Sequence, residues 1–439
     1  MGKLALEMVP GYDCPAYADF FDSTWHGMHS TTTTPNAICL FEYTADHLLS
    51  RHTAQYSVTA SRNTYLTIRF VSTVGNYDYT IEYQFYLDGT VEVKVRASGF
   101  IFAAFYAVGN SSKHEDEYGH RIHDALASSM HDHVINFKAD MDVGGTVNDM
   151  VRMAVEPTTK NFPWDGPQIP KRNTMHLVEY PVTSETGLNW PPNSGEFYLI
   201  YSEKMNSWGE RKGYRITSGT GVGSTPHLTI QNSTTLGNSA RWAEKDLWVL
   251  RQKDTEPRSA DPLNYLDPTN PIIDFTDMAD HESLLHGDGE DDYYDGDLVV
   301  YFNVGSHHVP HSGDVPNTLQ HTSATSVMFI PHNFADRDPS RESVQGVRLQ
   351  LAGHNESGGF AGDVGGNQAD AGGDLRSRLR KRGAGEKGVN AHYFGGTYVE
   401  GIKLPLEQME PDLEGDYRSR ENLVSDLSFN GSAAGVWHR

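Results

Sequence analysis

The segment from Thr80 to Ala97 constrains the fold of this chain most. Ile81, Tyr83, Phe85 and Leu87 alternate with Glu82, Gln84 and Tyr86, and after Asp88-Gly89 the residues Val91, Val93 and Val95 alternate with Glu92, Lys94 and Arg96. A period of two puts each set on its own face of a strand. Asp-Gly suits the positive φ angles of a tight hairpin turn. Runs of β-branched and aromatic residues recur at Leu66 to Val71, Phe197 to Tyr201, Arg211 to Ile216, Leu247 to Arg251 and Val299 to Val304. Gly, Asn, Asp and Pro clusters separate them, and aromatics make up 11% of the chain. This pattern predicts a mainly β protein. With 439 residues, it fits one large β domain with appendages, or two to three ordinary domains. Met1 to Thr34 reads as irregular, with a polar Ser/Thr tract from Ser30 to Thr34.

A formal net charge of −23 and the lack of a basic face argue against a nucleic-acid partner. An acidic surface attracts small cations, amines among them. No apolar run reaches about 18 residues, so no transmembrane helix is expected. The N-terminal residues show neither an apolar signal-peptide core nor a myristoylation pattern. Asn110, Asn232, Asn355 and Asn430 begin Asn-x-Ser/Thr sequons. The two cysteines, Cys14 and Cys39, can form one disulfide or remain thiols.

Several polar clusters carry possible chemistry. In His131-Asp132-His133 the two histidines share one strand face and can hold one metal, while Asp132 points away. An ordinary pair of polar strand residues has the same pattern. Asp140-Met141-Asp142 offers two carboxylates and a carbonyl, a set suited to a hard cation or to a solvated turn. The run from His286 to Asp297 is rich in carboxylates and reads as a solvated loop. Val299 to Val304 reads as a buried strand leading to Gly305-Ser306-His307-His308-Val309-Pro310-His311, either metal-ligating or a surface turn. Gly353 to Gly388 is rich in Gly, Asp, Asn and Ala and reads as flexible. His392 to Leu406 reads as a candidate strand pair.

Thr73-Val74-Gly75-Asn76-Tyr77-Asp78-Tyr79 resembles the cofactor segment of the copper amine oxidases, in which the tyrosine after the asparagine is oxidised to topaquinone. The order of the Asn-Tyr-Asp segment, the His-x-His, the paired aspartates and the late His-His follows that family, from the N-terminus to Pro339. The resemblance implies a large antiparallel β-sandwich homodimer. Its copper would be held by His131, His133 and His308, and its topaquinone would form from Tyr77, with Asn76 fixing the ring. It implies calcium at Asp140, Met141, Asp142, Asp297 and Leu298, with Met141 and Leu298 offering carbonyls. It also implies a Cys14–Cys39 disulfide, which in the chain-entropy model stabilises a fold by about 3 kcal/mol. Residues 162–192 would form a hairpin arm around the partner subunit. The expected domains are a catalytic β-sandwich over 1–345, a Gly-rich linker over 346–390 and a C-terminal extension over 391–439.

The implied reaction is oxidative deamination: primary amine, water and O2 give aldehyde, ammonia and hydrogen peroxide, with the quinone as electron sink. The family's aspartate base and a quinone-holding tyrosine lie upstream of the cysteine segment and would fall before Met1. Two alternatives follow: a copper-binding pseudoenzyme, or a structural β-sandwich dimer lacking the base. The family's compartments are extracellular or peroxisomal, and the sequence selects neither.

Overall fold

A computed structural model of the chain describes residues 4–27, 29–53, 57–106, 119–162, 167, 171–192, 194–219, 228, 241–252, 283–285, 296–350 and 390–394. The four sequons lie outside these residues, as do 351–389, the end of the chain after 394 and most of the acidic run 286–297. The described residues are mainly β, in antiparallel sheets. They belong to two compact units, one made of Met1–Leu6, Phe70–Gln84 and Thr90–Asp336, the other of Glu7–Arg69, Phe85–Gly89 and Arg337–Arg439.

Among the described residues the first unit contains two main sheets and a small third one, of Ala104–Phe105, Leu126–Ser128 and His120–His123. In the larger main sheet, the strands run in the order Tyr77–Tyr86, Val91–Gly99, Thr325–His332, Arg211–Ser218, Glu196–Met205, Asn148–Lys160 and Arg172–Pro181. The expected hairpin forms its first two strands. The smaller main sheet has the order Thr186–Leu188, Leu247–Arg251, Leu298–His308 and His131–Asp140. One apolar core joins the two: Ile81, Val93, Ile200, Ile216 and Phe329 from the larger sheet meet Val249, Val300, Phe302 and Val304 from the smaller.

The strand Leu298–His308 shows why the sequence reads as it does. Leu298, Val300, Phe302 and Val304 face that core, while Val299 and Tyr301 face a second cluster with Trp248 and Leu250. A strand covered on both faces must be apolar without alternation. Burying a side chain such as Phe302 contributes roughly 1.5–3 kcal/mol, so the two clusters hold this strand firmly where it approaches His308.

In the second unit, Asp19–His26 pairs with Thr31–Thr53 from Asp19↔Leu40 to His26↔Thr31. This corrects the irregular reading of Met1 to Thr34. Threonine is β-branched and favours extended backbone, and the Thr24 and Thr33 hydroxyls bond across the strands at 2.9 Å. Cys14 and Cys39 form a disulfide across a Cα separation of 6.6 Å. Gly346–Gln350 pairs with the start of Ser57–Val74 and with Asn390–Phe394, which places the beginning of the proposed C-terminal strand pair; its remainder lies outside the described residues.

Candidate metal centre

The core faces of three strands converge on one point of the first unit. On His131–Asp140, His131 and His133 continue the face of Ile135 and Phe137. On Leu298–His308, His308 continues the face of Val304, with register His308↔His131 and Ser306↔His133. On the facing sheet, Tyr77 and Tyr79 share the face of Ile81. One ring nitrogen from each of His131, His133 and His308 lies within 4.8 Å of the others. The close approach of the two histidine strands depends on Gly305, where a Cβ would collide with the carbonyl of His133 and come within 3.0 Å of the Val134 Cα.

Each imidazole is held from behind by its outer nitrogen. His131 Nδ1 lies 3.0 Å from the Ser129 carbonyl, and His133 Nδ1 lies 2.7 Å from the Tyr79 hydroxyl. His308 Nε2 lies 3.0 Å from Asp314 Oδ1. Protonating these outer nitrogens leaves the lone pairs of His131 Nε2, His133 Nε2 and His308 Nδ1 directed at a common centre. His133 Nε2 and His308 Nδ1 are 3.4 Å apart. Three imidazoles supported in this way fit a borderline transition metal such as copper.

Burial, then the neighbouring His131 and His308, push the His133 imidazole down to about 4. Burial also pushes His308 down, against the Asp314 carboxylate. Neutral imidazole is the ligating form. Burial alone would raise the Asp314 carboxyl; bonds from the His311 N–H, the Thr318 hydroxyl and His308 outweigh it and hold the group below the usual carboxylate range.

Tyr77 is 4% exposed. Its hydroxyl lies 3.3 Å from His131 Nε2 and 3.2 Å from His308 Nδ1, the two inward-facing nitrogens. Burial pushes its phenol up to about 12, with the nearby Thr318 hydroxyl acting against this and Asp314 adding to it. The phenol therefore keeps its proton at neutral pH unless a cation stands beside it. Asn76 is exposed, and its carbonyl accepts the Phe100 N–H at 3.1 Å. Asp78 is exposed and accepts the Thr73 hydroxyl at 2.5 Å.

The neighbouring histidines fall elsewhere. His307 points to the opposite strand face and pairs with Asp132. The His311 ring is exposed and accepts the Gly313 N–H at 2.9 Å, capping a turn. Carboxylate oxygens of Asp140, Asp142 and Asp297 lie within 4.8 Å of one another, with Met141 and Leu298 adjacent in the chain. Burial, then Asp142, raises the Asp140 carboxyl, so a cation would relieve this crowding. Sequence reasoning missed Tyr79, Asp314 and Thr318. Tyr79 stands two residues after Tyr77, a spacing that by itself places it on the same face.

The fold and the site define a mainly β domain with three imidazoles that could hold a metal beside a buried tyrosine. Residues 1–350 match the family model described as copper amine oxidase, enzyme domain. Copper amine oxidase vicK1 of Bipolaris victoriae is 42% identical over 358 residues, covering 80% of this chain and 48% of that protein. The copper-containing amine oxidase 3 of Bos taurus is 31% identical over 366 residues, covering 82% and 45%. The crystal structure of Aspergillus nidulans amine oxidase superposes with a TM-score of 0.70 at 40% identity, covering 86% of this chain and 49% of that one. That of Pichia pastoris lysyl oxidase gives 0.72 at 32%, covering 92% and 49%. The chain belongs to the copper amine oxidase family and spans about half the length of the curated relatives it matches.

Proposed function

We propose that the protein oxidises primary amines to aldehydes, releasing ammonia and hydrogen peroxide, with copper at His131, His133 and His308 and a quinone formed from Tyr77. The observation that carries this reading is the Tyr77 hydroxyl beside the inward nitrogens of His131 and His308, at 3.3 and 3.2 Å. When bound, the metal and the quinone supply the Lewis-acid and redox chemistry that no ordinary side chain provides.

The chain's own residues hold and orient. The three outer hydrogen bonds fix the ring angles of the histidines, and the apolar core behind them excludes water from one side of the centre. Asp314 is committed to His308, to the His311 N–H and to Thr318, and Asp78 faces away from Tyr77 in the strand alternation. Neither is suited to accept the substrate α-proton. A positioned base contributes about 10²–10⁴-fold, so quinone formation and turnover are separable in this chain. The same reading assigns a structural Ca²⁺ to the carboxylates of Asp140, Asp142 and Asp297 with the carbonyls of Met141 and Leu298. It also assigns a second copy of the chain to the hairpin of Asn148–Lys160 and Arg172–Pro181, where Val155, Met175 and Leu177 are exposed.

Phenylhydrazine titration of the copper-loaded, aerated protein tests the reading. A visible hydrazone band in the wild type, absent in Tyr77→Phe, is the expected result. A band without aldehyde or peroxide production from a primary amine would leave a copper-binding, quinone-forming pseudoenzyme, the second reading, which the commitment of Asp314 and the orientation of Asp78 favour. Aldehyde and peroxide production from a primary amine then measures turnover.

A further inference from the structure

We infer that Tyr79 is a positioning residue of the metal centre, its phenol oxygen setting the tautomer and ring angle of His133 from behind. The inference rests on the proposed metal-binding role of the three histidines. Two of the three outer partners are fixed acceptors: the Ser129 carbonyl behind His131 and the Asp314 carboxylate behind His308. The third, 2.7 Å from His133 Nδ1, is a hydroxyl that can either donate or accept.

That difference matters because His133 Nε2 and His308 Nδ1 face each other at 3.4 Å. Two lone pairs at this distance repel, so without a cation one of the two nitrogens carries a proton. Both Nε2 of His308, bonded to Asp314, and Nδ1 of His131, bonded to Ser129, already hold theirs. His133 is therefore the ring free to change tautomer. When the Tyr79 hydroxyl donates to Nδ1, His133 carries its proton on Nε2 and bonds His308. When the hydroxyl turns and accepts from Nδ1, the Nε2 lone pair is released to the metal. The ring of Tyr79 keeps its place throughout, because it packs on the apolar core beside Ile81 with its centroid 5.7 Å from that of His133.

The test compares copper affinity, measured by competition with a chelator, in wild type, Tyr79→Phe and Tyr83→Phe. Tyr83 is the control: it shares the strand and the core but packs edge-on against Phe137. Loss of a support behind a metal-bound histidine typically weakens binding about 10–100-fold. That loss, with an altered Cu²⁺ electron paramagnetic resonance spectrum, is expected for Tyr79→Phe, while Tyr83→Phe stays near wild type. Nitrogen NMR of the wild-type chain loaded with diamagnetic Zn²⁺ supplies a reading that needs no variant: the His133 proton should sit on Nδ1. Affinity within about twofold of wild type and an unchanged spectrum in Tyr79→Phe overturn the inference alone, even if the melting temperature falls. A proton on Nε2 in the Zn²⁺ form also overturns it. A wild-type chain that binds neither metal overturns this inference together with the proposed function.

Discussion

Asp314 stands directly behind His308, its Oδ1 3.0 Å from the imidazole Nε2, and the Thr318 hydroxyl donates to the same oxygen at 2.9 Å. The other oxygen accepts the His311 N–H at 2.9 Å. One buried carboxylate thus ties a metal-facing histidine to the turn that follows it. Asp314→Ala is expected to weaken copper binding about 10–100-fold and to lower stability by about 1–3 kcal/mol through the orphaned donors. Asp314→Asn retains an acceptor oxygen and should fall between the two. Chelator competition and urea unfolding measure the two effects separately, and wild-type affinity in Asp314→Ala would refute the role.

Gly99 holds the Tyr77 turn in place from the next strand. Its φ is +148°, and a Cβ there would collide with the Asn76 carbonyl and come within 2.8 Å of the Tyr77 Cα. Its own carbonyl accepts the Thr318 N–H at 2.9 Å. Gly99→Ala must therefore displace the Asn76–Tyr77 backbone relative to the histidines, which lie on other strands. Copper affinity should change less than about threefold, while the phenylhydrazine band forms at least about tenfold more slowly. Equal loss of both would show that the turn and the histidines move as one.

The parts of this architecture that were readable in the sequence are those that strand alternation alone determines. His131 and His133 share a face because they are two apart, and the uninterrupted run before His308 signals a strand buried on both sides. The Asp-Gly turn marks the hairpin. Other features depend on what lies across from them. Asp314 looks like any turn aspartate until the chain folds back on His308, and Gly99 looks like a strand end until the Asn76–Tyr77 backbone lies against it. The Ser30–Thr34 tract is not legible as a strand for the same reason, since a polar β-branched run becomes a strand only when a partner such as Asp19–His26 is available. The family resemblance supplied the Cys14–Cys39 pairing, which the spacing of two cysteines left open.

The Asp140, Asp142 and Asp297 carboxylates come together where the end of one strand meets the residue before Leu298–His308. A cation there would link the two histidine strands at the end away from His131 and His308. Calcium added at about 100 times its dissociation constant should stabilise the chain by about 2.7 kcal/mol, by mass action on the folded state alone. A calcium-selective chelator should reverse this, and Asp297→Asn should remove the response. A melting temperature indifferent to calcium in the wild type would exclude the site.

Asp246 sets a pH dependence of stability apart from the metal centre. The residue is 4% exposed. Its Oδ2 accepts the Trp190 N–H at 2.7 Å, while Oδ1 is buried and has no hydrogen-bond partner among the described residues. Burial pushes the carboxyl up to about 6, with the Trp190 N–H and Lys245 pulling against it. The unfolded chain releases this proton near pH 3.8, so between there and about 6 the folded state binds more protons. The contribution of this group is fully present below that window, falls as pH rises through it and is gone above it. Two pH units correspond to about 2–3 kcal/mol. Asp246→Asn keeps an acceptor for Trp190 and removes the charge, while its amide hydrogens meet the site that Oδ1 leaves unpaired, at a cost of about 1 kcal/mol. The variant should be about 1–2 kcal/mol more stable than wild type at pH 7. Its advantage should vanish at about pH 4.5 and reverse below it, as read from urea midpoints across that range. Parallel pH profiles for the two proteins would show that Asp246 is already ionised in the folded state at acidic pH.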